Sequence, residues 1–228
     1  AGLGAYAEIS ASDAPFYYAS QHSTFAWWDS DFKKEFRTRF GGYVDIGQTG
    51  TRLQLDVENV ANYVYLKNDA GAYINADNVT QPSYSISAAQ HNGSIQILSA
   101  SLQQNFILGP LHWDNNITYQ LSGNKKIIPL PDLNVFSDLY LKFIYYKRLN
   151  LEIGANALYF TRYNAPGYCP AVGAFHIQND GCIQEVGGYP LLTGYVNCSL
   201  RGVRFYIMYY HANDGQMSNR DSFMLPGY

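Results

Sequence analysis

The stretch from residue 94 to residue 121 alternates between apolar and polar side chains, one position at a time. Gly109-Pro110 interrupts the alternation, which resumes at Leu111. Successive side chains of a β-strand point to opposite faces, whereas a helix would need apolar residues at spacings of three and four. The polar positions of the second half are His112, Asp114, Asn116, Thr118 and Gln120. The pattern therefore predicts two strands joined by a tight turn, with one apolar face and one polar face.

The same alternation recurs along the chain and predicts about ten strands. They are expected over residues 1–11, 16–25, 35–46, 51–66, 94–108, 111–121, 135–145, 149–163, 192–200 and 203–210. The segments between them are rich in glycine, proline, asparagine and serine, which favour turns and loops. The fold class that follows is all-β, with a single domain of antiparallel up-and-down strands over residues 1–228.

Short and long connections alternate between the predicted strands. Short turns are expected near residues 12–13, 47–50, 109–110, 146–148 and 201–202. Long connections are expected at 26–34, 67–93, 122–134, 164–190 and from 212 onward. Successive connections of an antiparallel meander lie at opposite ends, so the short turns would share one rim and the long connections the other. Outer-membrane β-barrels have this arrangement, and a soluble β-sandwich has no physical reason for it.

Composition also favours a barrel embedded in lipid over a soluble all-β fold, which remains the alternative. Charged residues make up 14% of the chain, against roughly 25% on average, and aromatic residues reach 16%. A soluble sandwich needs a charged outer surface, whereas a membrane barrel has an apolar outer face, aromatic girdles and a polar lumen. Girdle positions are predicted at Tyr63, Tyr65, Trp113, Tyr119, Tyr145, Tyr159, Tyr163 and Tyr209. The prediction is a transmembrane β-barrel of a bacterial outer membrane.

Other functional classes find little support in the sequence. The net charge of −3 and the lack of any lysine or arginine cluster argue against nucleic-acid binding. No run of about 18 apolar residues is present, which excludes a transmembrane helix. His112 and Asp114 share a strand face, but positions two apart are separated by about 7 Å, too far for a direct hydrogen bond. No nucleophile elbow or metal-ligand cluster accompanies them, so we expect no enzyme, no cofactor and no metal site.

Two of the three cysteines, Cys169 and Cys182, lie in one loop-like stretch rich in glycine, proline and asparagine. Such a pair can form a disulfide in an oxidising compartment, but spacing alone does not establish the geometry that a disulfide needs. The bridged and the free forms therefore both stay open. Cys198 falls on the apolar face of a later strand and is expected to be a small buried apolar residue.

Five collinear segments carry a resemblance to a known family. They are WWDSDFKKEFRTRFGGYV, LGPLHWDNNITYQ, PLPDLNVFSDLYLKF, YFTRYNAPGYCPA and RFYIMYYH. From about Thr24 to Tyr228, they resemble the C-terminal half of the putative porins of Bacteroidota outer membranes. The resemblance implies an outer-membrane β-barrel through which small hydrophilic solutes and ions diffuse passively. Because family members have further N-terminal strands and a final closing strand, we expect the chain to be a fragment of a larger barrel.

Polar side chains of the lumen face, near the strand middles, are the candidate working residues of such a pore. They are Arg37, Arg39, Arg52, Asp56, Glu58, Asp138, Lys142, Glu152 and Arg204. Cationic and anionic rows on neighbouring strands would create a transverse field that sets ion preference. Alternatively, these groups pair within the wall and only fill the barrel. The expected partners are outer-membrane lipid, small hydrophilic solutes and, in a homo-oligomer or complex, other outer-membrane subunits.

A plugged barrel that acts as a binding or scaffold subunit of a larger surface complex is the second functional hypothesis. The predicted connections at 67–93 and 164–190 are long enough to fold inward as a constriction or outward as a docking surface. Trp27-Trp28 could hold carbohydrate or a protein partner, although girdle packing is the commoner role of such aromatic residues. The sequence leaves the open pore and the plugged barrel as alternatives.

Overall fold

A large antiparallel sheet dominates the computed structural model of the chain. The structure describes residues 1–24, 26–70, 72–76, 78, 80–146, 148–178, 183–200 and 202–213, with backbone alone at residues 72, 73 and 80–82. In chain order the elements are β1 (Gly2–Ser12), α1 (Phe16–Ala19), β2 (Ser20–His22), β3 (Trp27–Asp29), β4 (Glu35–Ile46), β5 (Thr51–Ala61), β6 (Val64–Asn68), β7 (Ala72–Ile74), β8 (Thr80–Pro82), β9 (Ile86–Gln90), β10 (Ser94–Leu108), β11 (Leu111–Ser122), β12 (Leu133–Tyr145), β13 (Leu149–Phe160), β14 (Gly167–Cys169), β15 (Ala174–His176), β16 (Leu191–Leu200) and β17 (Val203–Tyr209). In this part of the chain nine strands form the main sheet, in the spatial order β1-β4-β5-β10-β11-β12-β13-β16-β17. The predicted all-β, antiparallel, up-and-down fold is therefore confirmed.

The register of the main sheet follows from the alternation in the sequence. Leu55 of β5 stands opposite Gly42 and Ala100, so apolar and small residues share one face. One position along, Asp56 stands opposite polar Ser99 on β10. A shift of one residue would exchange the two faces of a strand, so this pattern fixes the pairing. No helix in the described part of the chain is long and apolar enough to cross a membrane.

The strand predicted over residues 16–25 is wrong. All eleven residues of β1 pair with β4, which leaves no place for another strand between them. After Pro15 the chain forms α1, and the backbone N–H of Tyr18 donates to the Pro15 carbonyl at 2.9 Å. β2 and β3 then form a small hairpin of their own, and Phe25 lies outside the described residues. The turn predicted at 12–13 is thus part of one long connection, and nine strands of the main sheet lie within the described residues.

The strand predicted over residues 51–66 is two strands in the structure. β5 ends at Ala61, and Asn62 has a positive φ of 58°, which interrupts the extended conformation. The segment predicted as a loop at 67–93 contains further short strands, with β6 paired to β9 and β7 paired to β8. The loop predicted at 164–190 likewise contains the hairpin β14–β15.

Short turns and long connections lie on opposite rims of the main sheet, as the sequence predicts. The hairpins β4–β5, β10–β11, β12–β13 and β16–β17 turn at one rim. The connections β1–β4, β5–β10, β11–β12 and β13–β16 all leave from the opposite rim. Within the described residues, β1 and β17 each pair on one side only, so these nine strands form an open sheet. The further strands that would close the barrel stay a prediction.

The long connections pack together into a hydrophobic core outside the main sheet, which we call the loop core. Its buried members are Ala26, Trp28, Leu66, Ile86 and Cys169. They come from the connections β1–β4, β5–β10 and β13–β16. Tyr17 packs against them and donates its hydroxyl to the Val172 carbonyl at 2.7 Å, and burial raises the pKa of this phenol. A parallel bridge between Lys67 and Ile177 joins two of the connections, so they form one packed unit rather than independent loops.

Truncation of Trp28 should open the loop core. Trp28 is 6% exposed, and its indole N–H donates to the Tyr18 carbonyl at 3.1 Å. Because a buried Trp→Ala change typically costs about 3–5 kcal/mol, we expect Trp28→Ala to speed proteolysis of the long connections. Its neighbour Trp27 is 72% exposed, so Trp27→Ala is the matched control and should leave cleavage unchanged. Equal protease resistance of Trp28→Ala and wild type would contradict the loop core.

Candidate functional site

The polar face of the main sheet holds the residues that are buried from solvent. Within the described part of the nine strands, all buried residues lie on this face. They are Asp56, Val60, Ile95, Thr193 and Tyr195. On the opposite face Leu53, Leu55 and Val57 are 44%, 54% and 49% exposed. A soluble sandwich would bury its apolar face, so the arrangement is inverted, as in a barrel wall with lipid outside and a polar lumen inside.

Aromatic side chains accompany the exposed apolar face. Four of the predicted girdle residues lie there with 45–69% exposure, namely Trp113, Tyr119, Tyr145 and Tyr209. Tyr159 lies on the same face and is half-buried. The prediction is wrong for Tyr63, Tyr65 and Tyr163, which belong to long connections because β5 and β13 end before them.

Arg39 and Asp56 form the centre of a first polar cluster on β1, β4 and β5. Nη2 of Arg39 lies 3.2 Å from Oδ2 of Asp56, and its guanidinium carbon lies 5.7 Å from the centre of the Tyr6 ring. Nε2 of Gln54 donates to Oδ2 of Asp56 at 2.9 Å, and the Tyr6 hydroxyl donates to Oδ1. Asp56 is only 7% exposed, and these three donors compensate its charge for the loss of water.

The other two predicted arginines of this region differ in their partners. Arg37 is paired, with Nε 2.6 Å from Oε1 of Glu35 and Nη1 3.3 Å from Oε1 of Glu58. Arg52 makes no ion pair among the described residues and lies over the Tyr43 ring, 4.4 Å from its centre. The structure thus brings the predicted rows of opposite charge together, and two of the three arginines pair within the wall.

A second polar cluster, on β11, β12 and β16, holds two carboxylates in hydrogen bonds from tyrosines. Asp138 stands directly opposite Asp114, a placement that like charges disfavour. The Tyr195 hydroxyl lies 3.1 and 3.0 Å from the two oxygens of Asp138, and the Tyr140 hydroxyl donates to Oδ2 of Asp114 at 3.1 Å. The sequence analysis selected Asp138 but missed both tyrosines.

The remaining predicted lumen residues lie nearer the rim of short turns. Glu152 accepts a hydrogen bond from Nδ2 of Asn197 at 3.1 Å and lies 3.8 Å from Nζ of Lys142. Arg204 is exposed on β17, opposite Ser199. The predicted pore-lining residues therefore share the polar face, spread over most of its strands, and their role in a pore stays a prediction.

Glycines on the polar face make room for tyrosine rings that stand opposite them in the register. The pairs are Tyr6 with Gly41, Tyr43 with Gly4 and Tyr195 with Gly154. A Cβ atom at any of these glycines would collide with the ring of its partner. Sequence reasoning missed the pairs, although tyrosines at polar-face positions opposite glycines were a usable signal once the register was known.

Alanine at Gly154 should destabilise the wall. The added Cβ would lie 2.7 Å from Cβ of Tyr140 and 2.7 Å from the Tyr195 ring, which would have to leave Asp138. Overpacking of this kind costs about 1–3 kcal/mol, so Gly154→Ala should lower the temperature at which the folded band is lost in heat-modifiability gels. Gly194→Ala is the matched control, because no atom of the described residues lies within 4 Å of its Cβ position. Equal shifts for both variants would contradict the packing described here.

His112 and Asp114 lie on one strand face but are held by Tyr140 rather than by each other. The His112 imidazole stacks on the Tyr140 ring, with centres 4.9 Å apart and planes at 6°. Tyr140 also donates its hydroxyl to Asp114. These three side chains are part of the polar face of the sheet. The expectation that the chain is not an enzyme stays a prediction.

Cys169 is a buried cysteine at the end of β14 and forms no disulfide with another described residue. Its predicted partner Cys182 lies outside the described residues, so the bridge in an oxidising compartment stays a prediction. Cys198 stands opposite Leu151 and Phe205 on the apolar face and is half-buried, less covered than the sequence analysis expected.

A comparison with protein families bears directly on this sheet, whose apolar face is exposed and whose polar face holds the buried residues. The family described as "Putative porin" matches residues 1–228, which is the whole chain. The chain belongs to the putative porin family. The match extends the resemblance, which the sequence analysis placed from about Thr24, to the N-terminal residue. Family and fold together identify this family member as an outer-membrane β-barrel protein of bacteria.

A solved structure shares the fold of this family member. The crystal structure of the siderophore receptor PirA from Acinetobacter baumannii matches it with a TM-score of 0.53 and 10% sequence identity. The match covers 93% of this chain and 35% of that chain, so the present chain spans about a third of the receptor's length. At this identity the likeness shows the fold alone. The search of curated proteins gave no match.

Proposed function

We propose that this chain belongs to a porin through which small hydrophilic solutes and ions diffuse passively across the outer membrane. The observation that carries the proposal is the inverted sheet, in which the buried strand residues lie on the polar face and the leucines of the other face are about half exposed. Such a wall satisfies its backbone within the sheet and presents apolar side chains to lipid. Its polar side chains then line a water-filled lumen, in a barrel completed by further strands.

The polar face presents both signs of charge to a passing solute. Arg37, Arg39 and Lys142 keep 46%, 39% and 58% of their side chains exposed. Glu58 and Glu152 stand beside them with 22% and 27% exposed. A mixed wall of this kind supports contact with many polar solutes rather than with one charge class. The proposed partners are outer-membrane lipid and small hydrophilic solutes, and we propose no catalytic step.

The loop core favours a second candidate function. Three of the long connections are packed into one unit at the same rim, as a fixed cover over the mouth of the barrel would require. In this alternative the barrel is plugged and acts as a binding or scaffold subunit of a larger surface complex. Leu66 and Ile86 within the cover are 2% and 7% exposed, so opening it would expose apolar surface to water.

Liposome swelling tests the two candidates side by side. Liposomes that contain the full-length protein should admit small sugars, at rates that fall as the sugar becomes larger. If the loop core closes the mouth instead, wild type admits no sugar and Trp28→Ala does. Absence of swelling with both proteins, when each shows the heat-modifiable mobility of a folded barrel, would contradict passive diffusion.

A further inference from the structure

A small pocket on the polar face lies between β1, β4 and β5, towards the rim of long connections. It has a volume of about 160 Å³ and is lined by Glu8, Ser10, Arg37, Arg39 and Glu58. Two guanidinium groups, two carboxylates and one hydroxyl form this lining, so its formal charges balance. We call it the charge-balanced pocket. This volume accommodates a ligand of a few non-hydrogen atoms.

The two arginines of the charge-balanced pocket retain donors that the wall does not use. Arg37 is paired with Glu35 and Glu58, and Arg39 with Asp56, yet 46% and 39% of the two side chains stay exposed. A guanidinium has five N–H donors, so these pairs leave several for a ligand. The buried Nε–H of Arg39 makes no hydrogen bond among the described residues. The ion pair with Asp56 is made through Nη2, so among the described residues Nη1 of Arg39 keeps its donors for a ligand.

Glu8 supplies the opposite charge. It stands directly opposite Arg39 in the register, but within the described part of the chain it forms no ion pair. Its side chain is exposed on the polar face, two residues before Ser10 on the same strand. The wall therefore leaves one carboxylate of the pocket ready to accept hydrogen bonds from a solute.

We propose that the charge-balanced pocket binds small zwitterionic solutes of the α-amino acid type. The ligand carboxylate would accept hydrogen bonds from Arg37 and Arg39, and its ammonium group would donate to Glu8 and Glu58. A simple anion would meet the two carboxylates and a simple cation would meet the two arginines, so only a ligand with both charges satisfies both sets. The inference deepens the proposed function and rests on it, because the solute reaches the pocket through the lumen.

Calorimetric titration of the full-length protein in detergent micelles tests this inference without ion flow. L-alanine is the zwitterionic probe, propionate lacks its ammonium group, and ethylammonium lacks its carboxylate. We expect L-alanine to bind at least about tenfold more tightly than either, since each missing group removes charge-assisted hydrogen bonds. Equal affinity for L-alanine and propionate, or no binding of L-alanine, would overturn the inference.

Glu8→Gln is the informative variant, because Glu8 makes no ion pair with any described residue of the wall. It should weaken L-alanine binding by about tenfold and leave propionate binding unchanged or stronger. Asp13→Asn, which removes a 75% exposed carboxylate in the adjoining connection, is the control and should bind like wild type. Unchanged affinity of Glu8→Gln for L-alanine would overturn the inference. If that variant does not fold, the comparison of the three probes on wild type decides the question.

The pocket and the pore can fail separately. A barrel that conducts ions but does not bind L-alanine would overturn the pocket alone, and a barrel that binds L-alanine but does not conduct would overturn the pore alone.

Discussion

Arginine in place of Leu55 should prevent the barrel from assembling in the membrane. Leu55 lies in the middle of β5 on the apolar face, is 54% exposed and stands between Gly42 and Ala100. An arginine that faces lipid at the midplane costs about 2–4 kcal/mol, a large part of the about 5–15 kcal/mol by which proteins are stable. We expect the heat-modifiable, membrane-inserted form of Leu55→Arg to be strongly reduced in outer-membrane fractions.

Ser101→Arg is the matched control for this variant. Ser101 follows Ala100, the residue of β10 that stands opposite Leu55. Its own side chain lies on the polar face, opposite Gln54 and Thr118. An arginine there points away from lipid, so Ser101→Arg should insert like wild type. Normal insertion of Leu55→Arg together with failure of Ser101→Arg would reverse the assignment of the two faces.

Glutamate in place of Arg39 should shift ion selectivity towards cations while the barrel stays folded. The change removes one positive charge and adds one negative charge, in a wall where Glu8 already stands opposite position 39 and Asp56 lies beside it. Two unit charges at about 10 Å from the ion path in water contribute about 0.8 kcal/mol, and screening at 0.1 M salt lowers this to about 0.3 kcal/mol. This energy favours potassium and disfavours chloride by the same amount, so it counts twice in their permeability ratio. The ratio of potassium to chloride permeability should therefore rise about threefold, as read from reversal potentials in a KCl gradient.

Two companion variants separate charge from position. Arg39→Gln removes a single charge and should give about half the free-energy shift of Arg39→Glu. Lys125→Glu makes the same change of two charges in the β11–β12 connection, where Lys125 pairs with Asp132, and should have the smaller effect. Equal reversal potentials for wild type and Arg39→Glu would remove Arg39 from the pore.

Most of the main sheet was predictable because alternation determines both the face and the register of a strand. β10 ends at Leu108 and β11 begins at Leu111, on either side of the predicted turn at Gly109-Pro110. Each strand has one apolar face that must meet lipid, so a shifted register would turn that face towards the polar side. Local pattern and overall fold agree here, which is why a single sequence suffices.

The long connections were not predictable in this way. Residues 16–25 alternate like a strand, but their structure depends on Pro15 and on the loop core, into which Tyr17 and Trp28 pack. The short strands β6 to β9 and β14 to β15 pair within connections, and contacts between distant segments stabilise them. Periodicity describes a residue's own strand and carries no information about such contacts.

Partners within the polar face were the second element that sequence reasoning missed. Charged residues such as Asp56 stand out by type alone, whereas Tyr6 is 50 positions away and belongs to a strand that does not adjoin β5. Tyr6 reaches Asp56 across Gly41 of the intervening strand, which has no side chain to block the approach. Only the three-strand register reveals that contact, and composition does not determine it.

Single-channel recording of the purified full-length protein in a planar bilayer tests the central claim most directly. An open lumen lined by the polar face predicts stable conductance steps that are proportional to voltage, and their size gives a bound on the width of the lumen. Persistent silence from a heat-modifiable, correctly folded barrel would contradict an open pore, and the plugged binding or scaffold barrel would replace it.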